Sequence, residues 1–357
     1  MRKEVGSIFP LSDMDILQAQ SETASYADGK IYYSLCREAF FDIAESMKES
    51  NKTVLIPAFT CQTVITPFEV SGWNCVYYSI QKNLRIDSNY LSELAGRLHP
   101  AIVVAHPYFG MELNEEEVST LRSISEQGAK ILLDLTQCIF SAIRYPFVSF
   151  TTGSYRKWFP IPDGGFLECN DSTYSIAQPE TEHHEFTERM TEAMYLRGQY
   201  FCNGEQRTKS ISIWLNKYAN KVACCNKVPH KMSQMAYNLL HNEDKDQNQK
   251  CRFENYTYLF HNIYESKRIS KACQNLNEVT TAPLYFTIYV DDRQALQRKL
   301  AQQSIYAPVI WPVEDEQVLI NDDTRYIYEH LLAIPCDQRY DETDMRRAAE
   351  IINEYSI

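Results

Sequence analysis

Glycine is scarce in this sequence, 11 of 357 residues, which excludes glycine-rich linkers and low-complexity tracts. Basic charge is in deficit as well: 35 Lys and Arg stand against 47 Asp and Glu, a formal net charge of −12. A nucleic-acid or anionic-membrane partner requires a clustered basic face; none is legible, and neither partner is expected. No apolar run approaches the roughly 18 residues of a membrane-spanning helix, and the stretch 1–15, MRKEVGSIFPLSDMD, lacks the apolar core of a signal peptide. The 11 cysteines fall into no CxxC or Cys/His spacing, although Cys224 and Cys225 stand side by side. Free thiols in a reducing compartment are therefore expected, rather than disulfides or a metal centre. These absences predict a soluble cytoplasmic protein.

What remains is an ordinary globular composition, 44% hydrophobic and 23% charged, long enough for one large domain and a smaller one. Three runs of strand length, TVLIPAF (53–59), AIVVAHPY (101–108) and KILLDLTQ (130–137), are apolar on both faces, as in a parallel sheet covered by helices. Helical spacing separates them at 36–50 and 114–128, the latter opening on an Asn cap and acids. The alternation predicts an α/β fold, with polar strand ends (Thr60 and Cys61, His106 to Tyr108, Asp134 and Gln137) gathering where α/β sheets hold their ligands. Residues 171–260 read as mostly helical, with 241–250 a solvated connection. Then come a strand (282–292), a helix (293–305), a short strand (306–312) and a capped helix (341–355). This organisation predicts a large domain over 1–250 and a small α/β domain over 251–357.

Two residues carry candidate chemistry. Lys157 sits among Tyr155, Trp158 and Phe159, beside Arg156 and ahead of Gly164-Gly165; a lysine desolvated in such a setting has the depressed pKa that a carbonyl-trapping amine requires. Asp134 ends an apolar strand, where a carboxylate needs a partner. It serves either as a cap or buried hydrogen-bonding group, or as the carboxylate that keeps a cofactor's pyridine nitrogen protonated, as with pyridoxal 5'-phosphate (PLP). Gln137, three residues on, would face the same ring. His183-His184, in the acidic stretch PETEHHEFTE, reads as a solvated face. Tyr306 and Trp311 read as packing residues or as walls of a sugar site, packing being the commoner case.

LLDLTQ, Lys157 twenty-three residues after Asp134, and KWFPIPDGG together resemble the DegT family of nucleotide-sugar aminotransferases, whose members carry Asp-x-x-His/Gln, a Ser/Thr-rich strand and Lys-x6-Gly-Gly. VLIPAFTCQTVITPF (54–68), HPYFG (106–110), HKMSQMAYNLL (230–240) and AIPCDQRY (333–340) are similar to further family segments, so the resemblance runs from about residue 30 onward. It implies an aspartate-aminotransferase-like, fold-type-I PLP enzyme, a homodimer that transfers an amino group from glutamate to a nucleotide-linked ketosugar for surface polysaccharides. Retention of the lysine separates it from the family's dehydratases, which carry histidine there.

By the same resemblance Lys157 binds the cofactor covalently, Asp134 pairs with the pyridine nitrogen, Gln137 contacts the ring, and Thr152 and Ser154 serve the phosphate. Cys36 and Arg37 open the phosphate-binding helix, Cys61 either lies against the cofactor or is a buried inert cysteine, and Tyr108, Trp158 and Trp311 are candidate substrate contacts. The chain departs from the pattern at Ser34-Leu35-Cys36-Arg37, where the family has Ser-Gly-Thr/Arg, at Cys61, where it places an aromatic, and near NKVPHK (226–231), where its cross-dimer Asn has no match. The alternatives are a PLP enzyme with another carbonyl or amino substrate, and a non-catalytic relative acting as a binding or assembly subunit.

Overall fold

The computed structural model describes residues 4–21, 25–26, 28–47, 51–224, 228–273 and 275–356. The expectations placed on Cys225, Asn226, Lys227 and the end of the 36–50 helix lie outside them. The fold is mixed α/β. Seven strands belong to the large sheet: β1 (Ile31–Tyr33), β2 (Thr53–Pro57), β3 (Asn74–Tyr78), β4 (Ile102–Ala105), β5 (Lys130–Asp134), β6 (Val148–Ser154) and β7 (Gly165–Cys169). Three more, β8 (Ile269–Lys271), β9 (Tyr285–Val290) and β10 (Leu331–Pro335), form a small antiparallel sheet in the order β10-β9-β8. The chain divides into two compact units, Ile8–Lys48 with Phe150–Asp244, and Arg2–Ser7 with Glu49–Ser149 and Lys245–Ile357.

In the second unit four strands run parallel in the order β5-β4-β2-β3. Every residue of β2 and β4 is buried, which is why their sequences read as unbroken apolar runs. Helices Gln62–Val70, Ser88–Leu98 and Glu115–Glu126 connect consecutive strands. The predicted Asn cap is present: the Asn114 side chain accepts from the Glu117 N–H at 2.9 Å, and the Glu117 carboxylate accepts from the Asn114 N–H at 2.8 Å. The expected strand at 306–312 is absent. Pro308 and Pro312 remove two ladder donors, and Trp311 turns the backbone to φ +53°; β9 pairs instead with β10 and β8. The segment 4–7 belongs to this unit: Val5 bridges Ile305, the Gly6 N–H donates to the Tyr340 hydroxyl at 2.8 Å, and Arg339 donates to the Ser7 carbonyl at 2.8 Å.

In the first unit β1, β7 and β6 pair antiparallel in that order, Tyr33 and Ser154 both opposite Gly165. Helix Cys36–Ser46 follows β1, and the stretch read as helical holds His184–Asn203, Gln206–Cys224 and Gln234–His241. The 241–250 connection is shorter than expected, because Lys245 already opens the helix Lys245–Asn262 of the other unit, whose exposed polar residues are solvated within a helix rather than a loop. Among the described residues no helix is long and apolar enough to cross a membrane.

Candidate active site

Adjacent parallel strands of the second unit bring three side chains together just past their carboxyl ends. β5 delivers Asp134, β4 leads into His106, and β2 leads into Thr60. His106 Nδ1 lies 3.1 Å from the Asp134 carboxylate and Nε2 lies 2.7 Å from the Thr60 hydroxyl, while the Thr136 N–H donates to the other Asp134 oxygen at 2.9 Å. Burial by itself would raise the Asp134 carboxyl, but the charge and hydrogen bond of His106, joined by Thr136, outweigh it and hold the group below the usual aspartate value. Asp134 is thus a buried carboxylate kept ionised. His106 is a neighbour of Asp134 that the sequence placed at a strand end without singling it out.

The other candidates here divide. Gln137 is buried and its side-chain carbonyl accepts from the Phe109 N–H at 3.1 Å, which secures the 106–110 turn. That turn has positive φ at Phe109 and Gly110, and a Cβ on Gly110 would lie 2.5 Å from the Ala282 carbonyl oxygen. Tyr108 is fully enclosed with its hydroxyl donating to the Phe59 carbonyl, so it is a packing residue and not the expected substrate contact. Trp311 is half-buried, its ring 4.9 Å from Phe59 and 6.2 Å from His106, which sets it beside the Asp134 cluster. Tyr306, read as packing or a sugar-site wall, is exposed. Cys61 is half-buried at the N-cap of Gln62–Val70, where its sulfur accepts from the Thr63 hydroxyl at 3.0 Å. Tyr328, unremarked in the sequence, reaches from helix Asp322–His330 to the Ala58 and Thr60 carbonyls at 3.0 and 3.2 Å and fixes the end of β2.

In the first unit β6 ends at Ser154 and passes through a 3-10 turn, Tyr155–Lys157, before the chain returns as β7. Lys157 is exposed, contrary to the desolvated setting its aromatic neighbours predict, because Trp158 and Phe159 turn inward instead of covering it. Its amine makes no hydrogen bond or ion pair among the described residues. Trp158 has no exposed surface and is a core residue, which removes it from the substrate contacts.

The Gly164-Gly165 pair has two separate causes. Gly164 adopts φ +137° with its N–H on the Ser34 carbonyl at 2.7 Å. A Cβ on Gly165 would lie 2.5 Å from the backbone nitrogen of Cys36, so the missing side chain is what lets helix Cys36–Ser46 begin against the sheet.

At that helix start the Leu35 N–H donates to Glu38 Oε2 at 2.9 Å, and the other Glu38 oxygen lies 3.1 Å from His230 Nδ1. Burial raises the Glu38 carboxyl, with His230 and the Leu35 N–H opposing. Arg37 is half-buried on the first turn. Thr152 has no exposed surface; its hydroxyl donates to the Phe166 carbonyl at 2.6 Å and meets Cys36 Sγ at 3.4 Å, so its proton serves the sheet and not a phosphate. Ser154 is buried at the strand end. Ser34, by contrast, has a buried hydroxyl without a hydrogen-bond partner among the described residues. An unsatisfied hydroxyl beside a helix N-terminus fits an anionic oxygen, and on this ground the residues present fit a PLP phosphate.

His183 departs from its reading as a solvated residue. It caps helix His184–Asn203, accepting from the Phe186 N–H at 3.4 Å, and is buried with its ring 4.6 Å from that of His230; His184 alone faces solvent. Asp163, ahead of the glycines, is fully enclosed and accepts from the Ser233 hydroxyl and N–H at 2.8 and 3.1 Å and from the Thr187 hydroxyl at 3.0 Å.

No protein-family model and no curated sequence matches the chain. Solved structures do. PseC of Helicobacter pylori, an aminotransferase involved in the biosynthesis of pseudoaminic acid, aligns at a TM-score of 0.69 and 13% identity over 99% of both chains. A DegT DnrJ EryC1 StrS aminotransferase from Brucella abortus aligns at 0.63 and 12% identity over 92% of this chain and 86% of its own. DesI, solved with its TDP-sugar product, aligns at 0.65 and 11% identity over 98% and 86%. The fold of this chain is the fold of these proteins.

Proposed function

We propose that this protein is a PLP-dependent aminotransferase that moves an amino group, from glutamate by the habit of the family it resembles, to a nucleotide-linked ketosugar for surface polysaccharide synthesis, as a cytoplasmic homodimer. The division into a large domain and a small C-terminal one at 250/251 belongs to the same proposal, with helix Lys245–Asn262 spanning that boundary. The observation that carries the reading is Asp134, a buried carboxylate held ionised at the end of a parallel strand. Such a group stabilises a protonated pyridine nitrogen.

PLP, when bound, supplies an electron sink for the pair left behind when a C–H proton departs. Asp134 is the residue to hold its ring nitrogen, with His106 keeping that carboxylate ionised and oriented. Lys157 is the residue to hold its aldehyde carbon, since the neighbouring Arg156 stays protonated and cannot act as a nucleophile. Ser34 and the first turn of helix Cys36–Ser46 are the groups for the phosphate, with Ser154 a further hydroxyl. The Lys157 amine, once uncharged, is a base able to take a proton from one carbon and return it to another. Trp311, beside His106, offers an apolar wall to a sugar or its nucleotide base.

Reduction of PLP-treated protein with borohydride, followed by peptide mapping, tests the assignment. The label is expected on Lys157, and a label on any other lysine, or none, overturns it. One observation favours a second reading: the Glu38 carboxylate occupies the Leu35 N–H at the helix start, which suits a relative that binds sugar nucleotides without turning them over. Sugar-nucleotide binding with no amino transfer under PLP saturation would select that reading.

A further inference from the structure

Helix Gln206–Cys224 is chemically unlike the rest of the molecule. It carries Arg207, Lys209, Lys217 and Lys221 and no acidic residue, +4 within a chain of net −12, so the remaining residues carry −16. One side of it buries Ser212, Leu215, Ala219 and Ala223. The opposite side presents Arg207, Ile211, Trp214, Tyr218 and Lys221, all exposed and spaced alternately four and three residues apart, which aligns them in one stripe. Trp214 is 61% exposed, Ile211 39% and Tyr218 37%, and the Trp214 and Tyr218 rings stack with centroids 5.6 Å apart. A solvated helix face has no use for such a stripe, whereas Trp, Tyr and Arg are the residues that anchor protein interfaces, and an apolar patch rimmed by charge marks a docking surface.

We propose that this stripe docks onto the acidic segment 313–323 of a second copy of the chain. That segment holds Glu314, Asp315, Glu316, Asp322 and Asp323 with no Lys or Arg, and only Asp323 has an ion-pair partner among the described residues, Lys82 at 3.9 Å. Val313, 40% exposed, gives it an apolar member to meet the aromatic pair. Stripe against stripe would set +2 against +2 and repel; stripe against acidic segment, repeated twice about a two-fold axis, joins opposite charges at both contacts. An anionic membrane is the poorer occupant, because the −16 on the rest of the chain is repelled by its headgroups. The inference rests on the homodimer reading and on no part of the cofactor chemistry.

Sedimentation analysis of the full chain tests it. The pair Arg207→Glu with Lys221→Glu is expected to weaken self-association by about tenfold or more, as is Trp214→Ala, with circular dichroism and melting unchanged. Glu314→Lys with Glu316→Lys is expected to weaken it similarly, and mixing the two reversed proteins restores association, since the reversed stripe meets the reversed segment at one contact and unaltered charges meet at the other. Association that ignores the reversals, or no recovery on mixing, overturns the proposed surface and leaves the homodimer standing. A monomeric wild type overturns the homodimer reading too, while borohydride labelling of Lys157 would be untouched. Binding of the wild type to phosphatidylglycerol vesicles, lost on Arg207→Glu with Lys221→Glu, would replace the second copy with a membrane.

Discussion

Asp134 owes its charge to His106 and Thr136, so its chemistry can be changed without emptying its site. Asn at position 134 matches the shape and still accepts from the Thr136 N–H, but it is neutral and cannot hold a pyridine nitrogen protonated. Asp134→Asn is expected to keep the fold, judged by circular dichroism, and to lose on the order of 10²–10³-fold in turnover, the usual scale for removing one preorganised electrostatic partner. Full turnover would remove Asp134 from the mechanism. Asp163 makes a pH prediction of the opposite sign from the usual aspartate. Burial, the largest influence, outweighs its three hydrogen bonds and raises the carboxyl to about 7. The folded chain therefore keeps a proton that the unfolded chain releases near pH 4. Stability from the neutral form is complete below that range and is lost as pH rises toward about 7, at up to about 1.4 kcal/mol per pH unit. Melting temperatures from pH 5 to 7 should fall for the wild type relative to Asp163→Asn; parallel curves would show that Asp163 does not titrate there.

Elements explain what single residues could not. The Lys157 turn, the Gly164-Gly165 return and the start of helix Cys36–Ser46 form one backbone unit, in which Gly165 is the contact point. Gly165→Ala would drive a methyl into the Cys36 backbone, 2.5 Å from N and 2.7 Å from Cα. A loss of about 1–3 kcal/mol is expected, with PLP affinity at least about tenfold weaker by titration of the apo protein. Gly96→Ala, inside helix Ser88–Leu98 with nothing within 4 Å, should be neutral or stabilising. Equal behaviour of the two variants would show that the close approach is unimportant. The buried parallel strands and the capped helix at 115–126 were legible because burial on both faces and capping leave local signatures. β10 and the loss of the 306–312 strand were not, since they depend on which partner β9 finds and on what two prolines deny. Among site residues, Asp134 and the glycine pair stood out by spacing. Tyr108, Trp158 and Thr152 misled because an aromatic or a hydroxyl near a strand end looks the same in sequence whether it faces a ligand or the core. His106 emerged only from its partners Thr60 and Asp134 on other strands, and Ser34 only from a buried hydroxyl that no described residue satisfies.

At the scale of the whole molecule, neither compact unit is continuous in sequence, and one of them gathers residues from near both ends of the chain. Val5 finds its bridge partner at Ile305, and Gly6 and Ser7 find theirs at Tyr340 and Arg339. During synthesis the first of these contacts must wait for 300 further residues, roughly 15–60 s at ordinary ribosomal rates of about 5–20 residues per second. Over the same interval both segments of the first unit, the second ending at Asp244, are already made. The ribosome thus imposes a calendar on this fold, in which residues 5–7 are made long before they are housed, and a nascent chain stalled before residue 305 carries them unclaimed.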